Sequence, residues 1–167
     1  MSVTRQLAAV AGVVLAAAAG DARAQSPAPL DLATYPRASL EIVHRQKQQP
    51  VRRLQFDVWV ADTAARAKQG LMFVRDLPAG RGMVFPLAPP RVENMWMKNT
   101  YVELDMLFVA ADGHVVKIIE RARPLSLETL SSDTPVGAVL ELRGGEARRL
   151  GLQVGDLVTW KVAAATP

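Results

Sequence analysis

The side chains best able to do chemistry crowd into one stretch, ENMWMKNTYVELDMLFV, from Glu93 to Val109. An extended backbone sends successive side chains to opposite faces. Met95, Met97 and Asn99 then share one face, and Asn94, Trp96, Lys98 and Thr100 the other. The methionine face reads as core, because the flexible thioether fills irregular gaps. On the other face Trp96 beside Lys98 makes a flat apolar plate next to a cation. That pair suits an anionic or sugar-like ligand, and equally a lysine stem lying over an indole.

Asp105 poses a sharper problem. It stands in LDMLFV, apolar on both faces like a central strand. A carboxylate buried there without a partner costs several kcal/mol, so a cation is expected beside it, with Lys98, Arg75 and Arg81 the candidates. The Asp112-Gly113 turn sets what lies across the hairpin. A two-residue turn puts Glu120 opposite Asp105, where two carboxylates repel unless a proton or cation intervenes. A longer Ala-Asp-Gly loop removes that contact.

Other chemistries are missing. The chain has no cysteine, which removes thiol nucleophiles, thiolate metal sites and disulfides. His44 and His114 lack metal-ligand spacing to each other or to a carboxylate. There is no Gly-x-Ser-x-Gly elbow and no phosphate-cradling loop, AGRG being only a turn. Aromatic residues are 5% of the chain, too few for a nucleic-acid stacking surface. No cofactor and no metal are expected.

The elements around the stretch follow from pattern. Leu7 to Gly20 is a continuous small apolar run after Arg5, followed by Ala-Arg-Ala at 22–24. This reads as a signal peptide over 1–24, too short for a comfortable membrane span. The mature chain from Gln25 has 143 residues, with 18 basic and 15 acidic side chains, a mild net +3. Residues 25–50 read as a flexible lead-in with a short first strand in LEIVHR, and 51–165 as one globular domain. RRLQFDVWV alternates as a half-buried strand. Asp62 or Thr63 caps a short helix that Gly70 ends. Met83 to Phe85 is a short strand, and PLAPP interrupts the pattern. HVVKIIERA returns from the hairpin, AVLEL is a strand, EARRL a helical turn or two, and GDLVTWKV the last strand. About six strands and two short helices with no βαβ rhythm predict an α+β fold: a curved, mostly antiparallel sheet or small barrel.

The strings GLMFVRDL, GMVF, MWMKNT, LDMLFVAADG, LEL and GLQVGD, in this order between about Leu54 and Val162, closely resemble the motifs of domain of unknown function family 192. The resemblance implies a compact α+β fold with a barrel-like sheet, export for many members, and no established activity. Its motif positions here are Gly70, Leu71, Met72, Arg75, Gly82, Met83, Trp96 to Thr100 and Asp105. Met95 stands where an aromatic is usual, and Glu103 where proline is common.

The expectation is an exported, non-enzymatic binding or accessory domain, periplasmic or secreted. Its polar pocket would be built from Arg75, Trp96, Lys98, Asn99, Thr100 and Asp105, and its ligand would be small and polar or anionic. The alternatives are an enzyme using Asp105, with Glu120 or Lys98, on a glycan or similar polar substrate, and Cu(I) handling by Met72, Met83, Met95, Met97 and Met106. No nucleic-acid partner and no stable membrane anchor after cleavage are expected. N-terminal sequencing of the exported protein should begin at Gln25, since Ala22 and Ala24 are the small residues signal peptidase accepts. A mature chain that keeps the Leu7–Gly20 run would contradict export by cleavage.

Overall fold

In the computed structural model, residues 28–44 and 50–164 are described. The signal-peptide segment, the Ala24–Gln25 bond and most of QKQQP lie outside them. The alternation of RRLQFDVWV is kept in β2 (Arg52–Val60), where Phe56, Val58 and Val60 are buried while Gln55 and Asp57 are exposed. β2 pairs antiparallel with β1 (Arg37–His44), which is held on its other side by β9 (Leu157–Val162). The first strand thus lies inside the sheet, and residues from Arg37 belong to the domain and not to a lead-in reaching residue 50.

Thr63 caps α1 (Ala64–Gln69) by accepting from the Arg66 N–H at 3.3 Å, and Gly70 at φ 52° closes it. The chain then returns as β3 (Arg81–Arg91), parallel to β2. One parallel pair bridged by a helix is therefore present where none was expected. β3 also runs straight through PLAPP. The prolines shift its register against β8 (Val136–Arg143) between Pro86 and Arg91 without ending it. β5 (Leu104–Val109) pairs with β8 and with β6 (Val115–Ala122). The two-residue strands β4 (Asn94–Met95) and β7 (Leu130–Ser131) pair separately. α2 (Glu146–Leu150) follows β8.

The main sheet has seven strands in the order β6-β5-β8-β3-β2-β1-β9. Its edges touch at a single bridge between His114 and Leu157. The sheet is open and curved, and does not close into a barrel. Apolar side chains cover both faces. Leu40, Ile42, Phe56, Val58, Leu107 and Leu140 pack with α2's Ala147 on one face. Met83, Phe85, Met97, Met106, Phe108 and Val139 pack with Leu71 and Leu77 on the other.

β5 is buried along its whole length, as its sequence predicts, but the partner of Asp105 is not a cation. Asp105 is fully buried. Its Oδ1 accepts from the backbone N–H of Arg121 at 2.8 Å and of Gly145 at 2.9 Å, and its Oδ2 from that of Ala147 at 2.7 Å. Three amide donors, two of them at the electropositive start of α2, satisfy a carboxylate as a cation would. Lys98, Arg75 and Arg81 take no part.

The hairpin loop is the longer Ala111-Asp112-Gly113 form, closed by the Ala110 N–H on the His114 carbonyl at 2.8 Å. Leu104 faces Ala122 while Met106 faces Ile119, so Glu120 and Arg121 together oppose Asp105 across a bulge. That bulge turns Arg121 to φ 50° and aims its N–H at Asp105. Glu120 instead pairs with Arg148 at 3.0 Å, and the carboxylate dyad does not form.

Asp105→Ala would leave three N–H groups without acceptors, and should lower stability by about 3 kcal/mol or more in urea unfolding. Lys98→Ala should stay within about 0.5 kcal/mol of the parent, because Lys98 is exposed. A large loss from Lys98→Ala would restore the cationic-partner reading.

Candidate functional site

β8 is the third strand from one edge, flanked by β5 and β3. Glu141 lies directly between Met106 of β5 and Met83 of β3 in register. Paired residues point the same way, so its side chain is on the methionine-rich face, opposite to Asp105. The strands come close here because Gly82 has no side chain; a Cβ at that position would run into the Glu141 carbonyl oxygen.

Over this point the structure leaves a cleft of about 530 Å³. One wall is α1 and the segment after it, with Ala64, Ala67, Gly70, Leu71 and Met72. The other is the far half of β3, with Phe85 and Leu87, continued by Met95 and Trp96. Glu141 and Thr100 lie deep within. The Glu141 carboxyl is buried, and its Oε2 has no hydrogen-bond partner among the described residues. Burial pushes its pKa up to about 8, so the group is mostly protonated at neutral pH. Asp62 and Glu93, also lining the cleft, are paired with Arg66 at 2.6 Å and Arg91 at 2.8 Å.

The six residues singled out from sequence scatter. Trp96, half exposed, and Thr100, buried, line this cleft. Alternation holds as far as Lys98, with Met97 buried and Trp96 and Lys98 exposed. Only Asn94–Met95 is strand, however, and the chain turns at Asn99, which has φ 56°. The Asn99 carbonyl accepts from the Phe73 N–H at 2.8 Å, and the Thr100 carbonyl from the Leu125 N–H at 3.1 Å. The Thr100 hydroxyl donates to the Lys98 carbonyl at 3.3 Å. Asn99 and Thr100 thus tie three loops together at one end of the cleft. Two further residues in those loops, Phe73 at φ 69° and Leu125 at φ 62°, share the left-handed backbone of Asn99, a conformation costly for bulky side chains.

Arg75 lies elsewhere, stacked on the Tyr101 ring at 4.5 Å, beside a second crevice lined by Glu103, Arg121 and Arg143. Asp105 is on the far face of the sheet. Glu141 was missed, although AVLEL carried the same signal as LDMLFV: an acid in a strand apolar on both sides.

The geometry defines a small α+β domain with a ligand-sized cleft over a buried, unpartnered carboxyl. A family model described as DUF192, Uncharacterized ACR, matches residues 42–160, and the chain belongs to that family. A solved protein of unknown function from Novosphingobium aromaticivorans DSM 12444 is similar at 34% identity and a TM-score of 0.71, the match covering 82% of this chain and 94% of that one. A second solved structure, from Sinorhizobium meliloti 1021 and described as a candidate transcription regulator, is similar at 36% identity and a TM-score of 0.69, covering 75% of this chain and 95% of that one. No curated protein matches the chain.

Glu141 should leave a signature in the pH dependence of stability. Its folded pKa of about 8 lies above the ordinary 4.5, so the folded protein keeps a proton that the unfolded chain gives up. Its contribution is fully present below about pH 4.5 and is lost as the pH climbs to about 8. Glu141→Gln removes that slope. The variant should match the parent near pH 5 and exceed it by roughly 3 kcal/mol at pH 7 in urea unfolding. Parallel pH profiles for the two proteins would show that Glu141 is ionised in the folded state.

Proposed function

We propose that this protein is an exported, non-enzymatic binding domain, periplasmic or secreted, whose ligand sits in the cleft beside the Trp-Met-Lys-Asn-Thr segment with Glu141 at its floor. The observation that carries the reading is the unpartnered Glu141 Oε2. Buried polar atoms almost always find a partner, and an apolar side chain of similar volume would make this core more stable. A carboxyl that burdens the fold and lines a cleft of ligand size is a group held ready for something else to pair with. Of the motif side chains, Trp96 and Thr100 contribute to this site. Arg75 and Asp105 stand apart from it.

A second reading, an enzyme acting on a polar substrate, draws support from the same carboxyl, because an acid protonated at neutral pH is a ready proton donor. It lacks a free second carboxylate among the described lining residues, since Asp62 and Glu93 are both engaged by arginines. The methionines do not favour copper: Met83, Met97 and Met106 are fully buried core side chains, and only Met72 and Met95 line the cleft.

The test is to purify the protein from its native host, denature it, and identify the released small molecules by mass spectrometry. Ala67→Trp fills the cleft from the exposed side of α1, and should cost less than about 0.5 kcal/mol. The parent should release a stoichiometric compound that the variant lacks. Recovery of the same compounds from both proteins would place any binding outside the cleft.

A further inference from the structure

The rim and the interior of the cleft differ in kind. The rim carries the two paired charges already described, together with Lys68 and Gln69 of α1 and Asn94 of β4. The interior is apolar, formed by Leu71, Met72, Phe85, Leu87 and Met95. It holds two deep polar side chains, and one of them, Thr100, already spends its hydroxyl proton on the Lys98 carbonyl. The interior therefore offers a ligand one strong polar anchor. A polyhydroxylated ligand would strand its hydroxyls against hydrocarbon walls, each at a cost. The shape of this chemistry fits a ligand with one polar head on an apolar body.

The head must complement a carboxyl with no partner. On the flanking strands Glu141 faces Met83 and Met106, which do not titrate. Across the cleft, α1 and the residue before its cap bring Lys68 and Asp62, and the end of β3 and the connection after it bring Arg91 and Glu93. None of these offsets the effect of burial, the sole cause of the raised pKa. Among the described residues no cation pairs with this carboxyl. A carboxylate or phosphate head could accept the one proton of the neutral carboxyl, but would meet like charge once Glu141 ionises. An ammonium brings the missing charge and three N–H donors. The half-exposed Trp96 adds an indole face, which attracts cations.

We propose that the cleft selects an organic ammonium ion with a compact apolar body, its nitrogen on the Glu141 carboxylate and its body against Phe85, Leu87, Met95 and Trp96. This rests on the reading of the cleft as a ligand site. Binding makes and breaks no bond in the ligand. The Glu141 carboxyl releases its proton to solvent, and the ammonium takes its place. Ionising a group with a pKa of about 8 weakens binding only about tenfold at pH 7. Affinity then rises about tenfold per pH unit below about pH 8 and levels off above it.

Isothermal titration of the purified protein with phenethylammonium chloride tests this, with 2-phenylethanol and 3-phenylpropionate as neutral and anionic counterparts. Buffers of different ionisation heat, from about pH 6 to 9, count the protons released. The ammonium should bind most tightly and release about one proton per ligand near pH 6, falling toward none near pH 9. Glu141→Gln should weaken ammonium binding at least about tenfold at pH 8 and flatten its pH dependence, leaving 2-phenylethanol within about threefold. Glu141→Met provides the same loss should the glutamine variant fold poorly. Equal or tighter binding of the alcohol or the carboxylate, or ammonium binding that survives in both variants, overturns the ammonium class and leaves the cleft as a ligand site. No binding by any of the three overturns the ammonium inference, while recovery of a native ligand decides the cleft separately.

Discussion

Asp105 is buried on β5, one strand in from the edge of the sheet, and draws three amide N–H groups onto one carboxylate. Those amides come from the bulge in β6, the Gly144–Gly145 turn and the first turn of α2. One side chain therefore fixes the register of β5 against β6, the exit of β8 and the seat of α2. The chain of constraint continues from there. α2 carries Glu146, whose carboxylate oxygens accept from the Gly80 N–H at 3.2 and 3.3 Å. Gly80 leads into β3, and β3 meets β8 at Gly82 and Met83, beside Glu141. The floor of the cleft is thus set by a carboxylate on the opposite face of the sheet.

The sheet holds two buried acids with opposite fates. Asp105 has all its donors supplied by the fold, so it stabilises the native state and has nothing left to offer a ligand. Glu141 has an oxygen without a partner, and burial keeps the group protonated at neutral pH. A protein gains from the first kind of acid in stability and from the second only in function, and groups of the second kind are tolerated because stability elsewhere covers their cost. The left-handed backbone at Phe73, Asn99 and Leu125 gathers in the loops tied together by Asn99 and Thr100 at one end of the cleft, and is a second local cost of the same kind.

Much of the fold was legible in the sequence because the signals were local. The alternation of β2, the Thr63 cap with its Gly70 stop, the hairpin at Asp112-Gly113 and the burial of Met97 each depend on residues a few positions apart. The failures were non-local. PLAPP reads as a break, yet β3 continues through it, paired with the neighbouring β8 at Pro86 and again at Arg91. The partners of Asp105 lie 16, 40 and 42 residues away, and they are backbone amides, which no side-chain pattern can reveal. The need for a partner was correctly read; only the assumption that it must be a cation failed. For the site, Trp96 and Thr100 were found through their neighbours in the motif. Arg75 and Asp105 were grouped with them as members of the same motif, but Arg75 stacks on Tyr101 beside a second crevice and Asp105 lies on the opposite face of the sheet. Glu141 stood in plain view in AVLEL, outside the polar motif that drew the eye.

The open sheet has one further consequence. Its outer strands, β6 and β9, lean together at one end through the His114–Leu157 bridge, with the Val115 N–H donating to the Asp156 carbonyl and the Val158 N–H to the Gly113 carbonyl, each at 2.8 Å. An unpaired strand edge is a template on which another chain can add itself, the first step toward aggregation. Here that template is shortened from the inside, because each edge spends part of its backbone on the other. Further along β6 the exposed side chains include Glu120 and Arg121, with Arg123 just past its end, charges that discourage a strange strand from settling. In a chain without cysteine to staple it, this partial closure guards solubility where a disulfide offers no help.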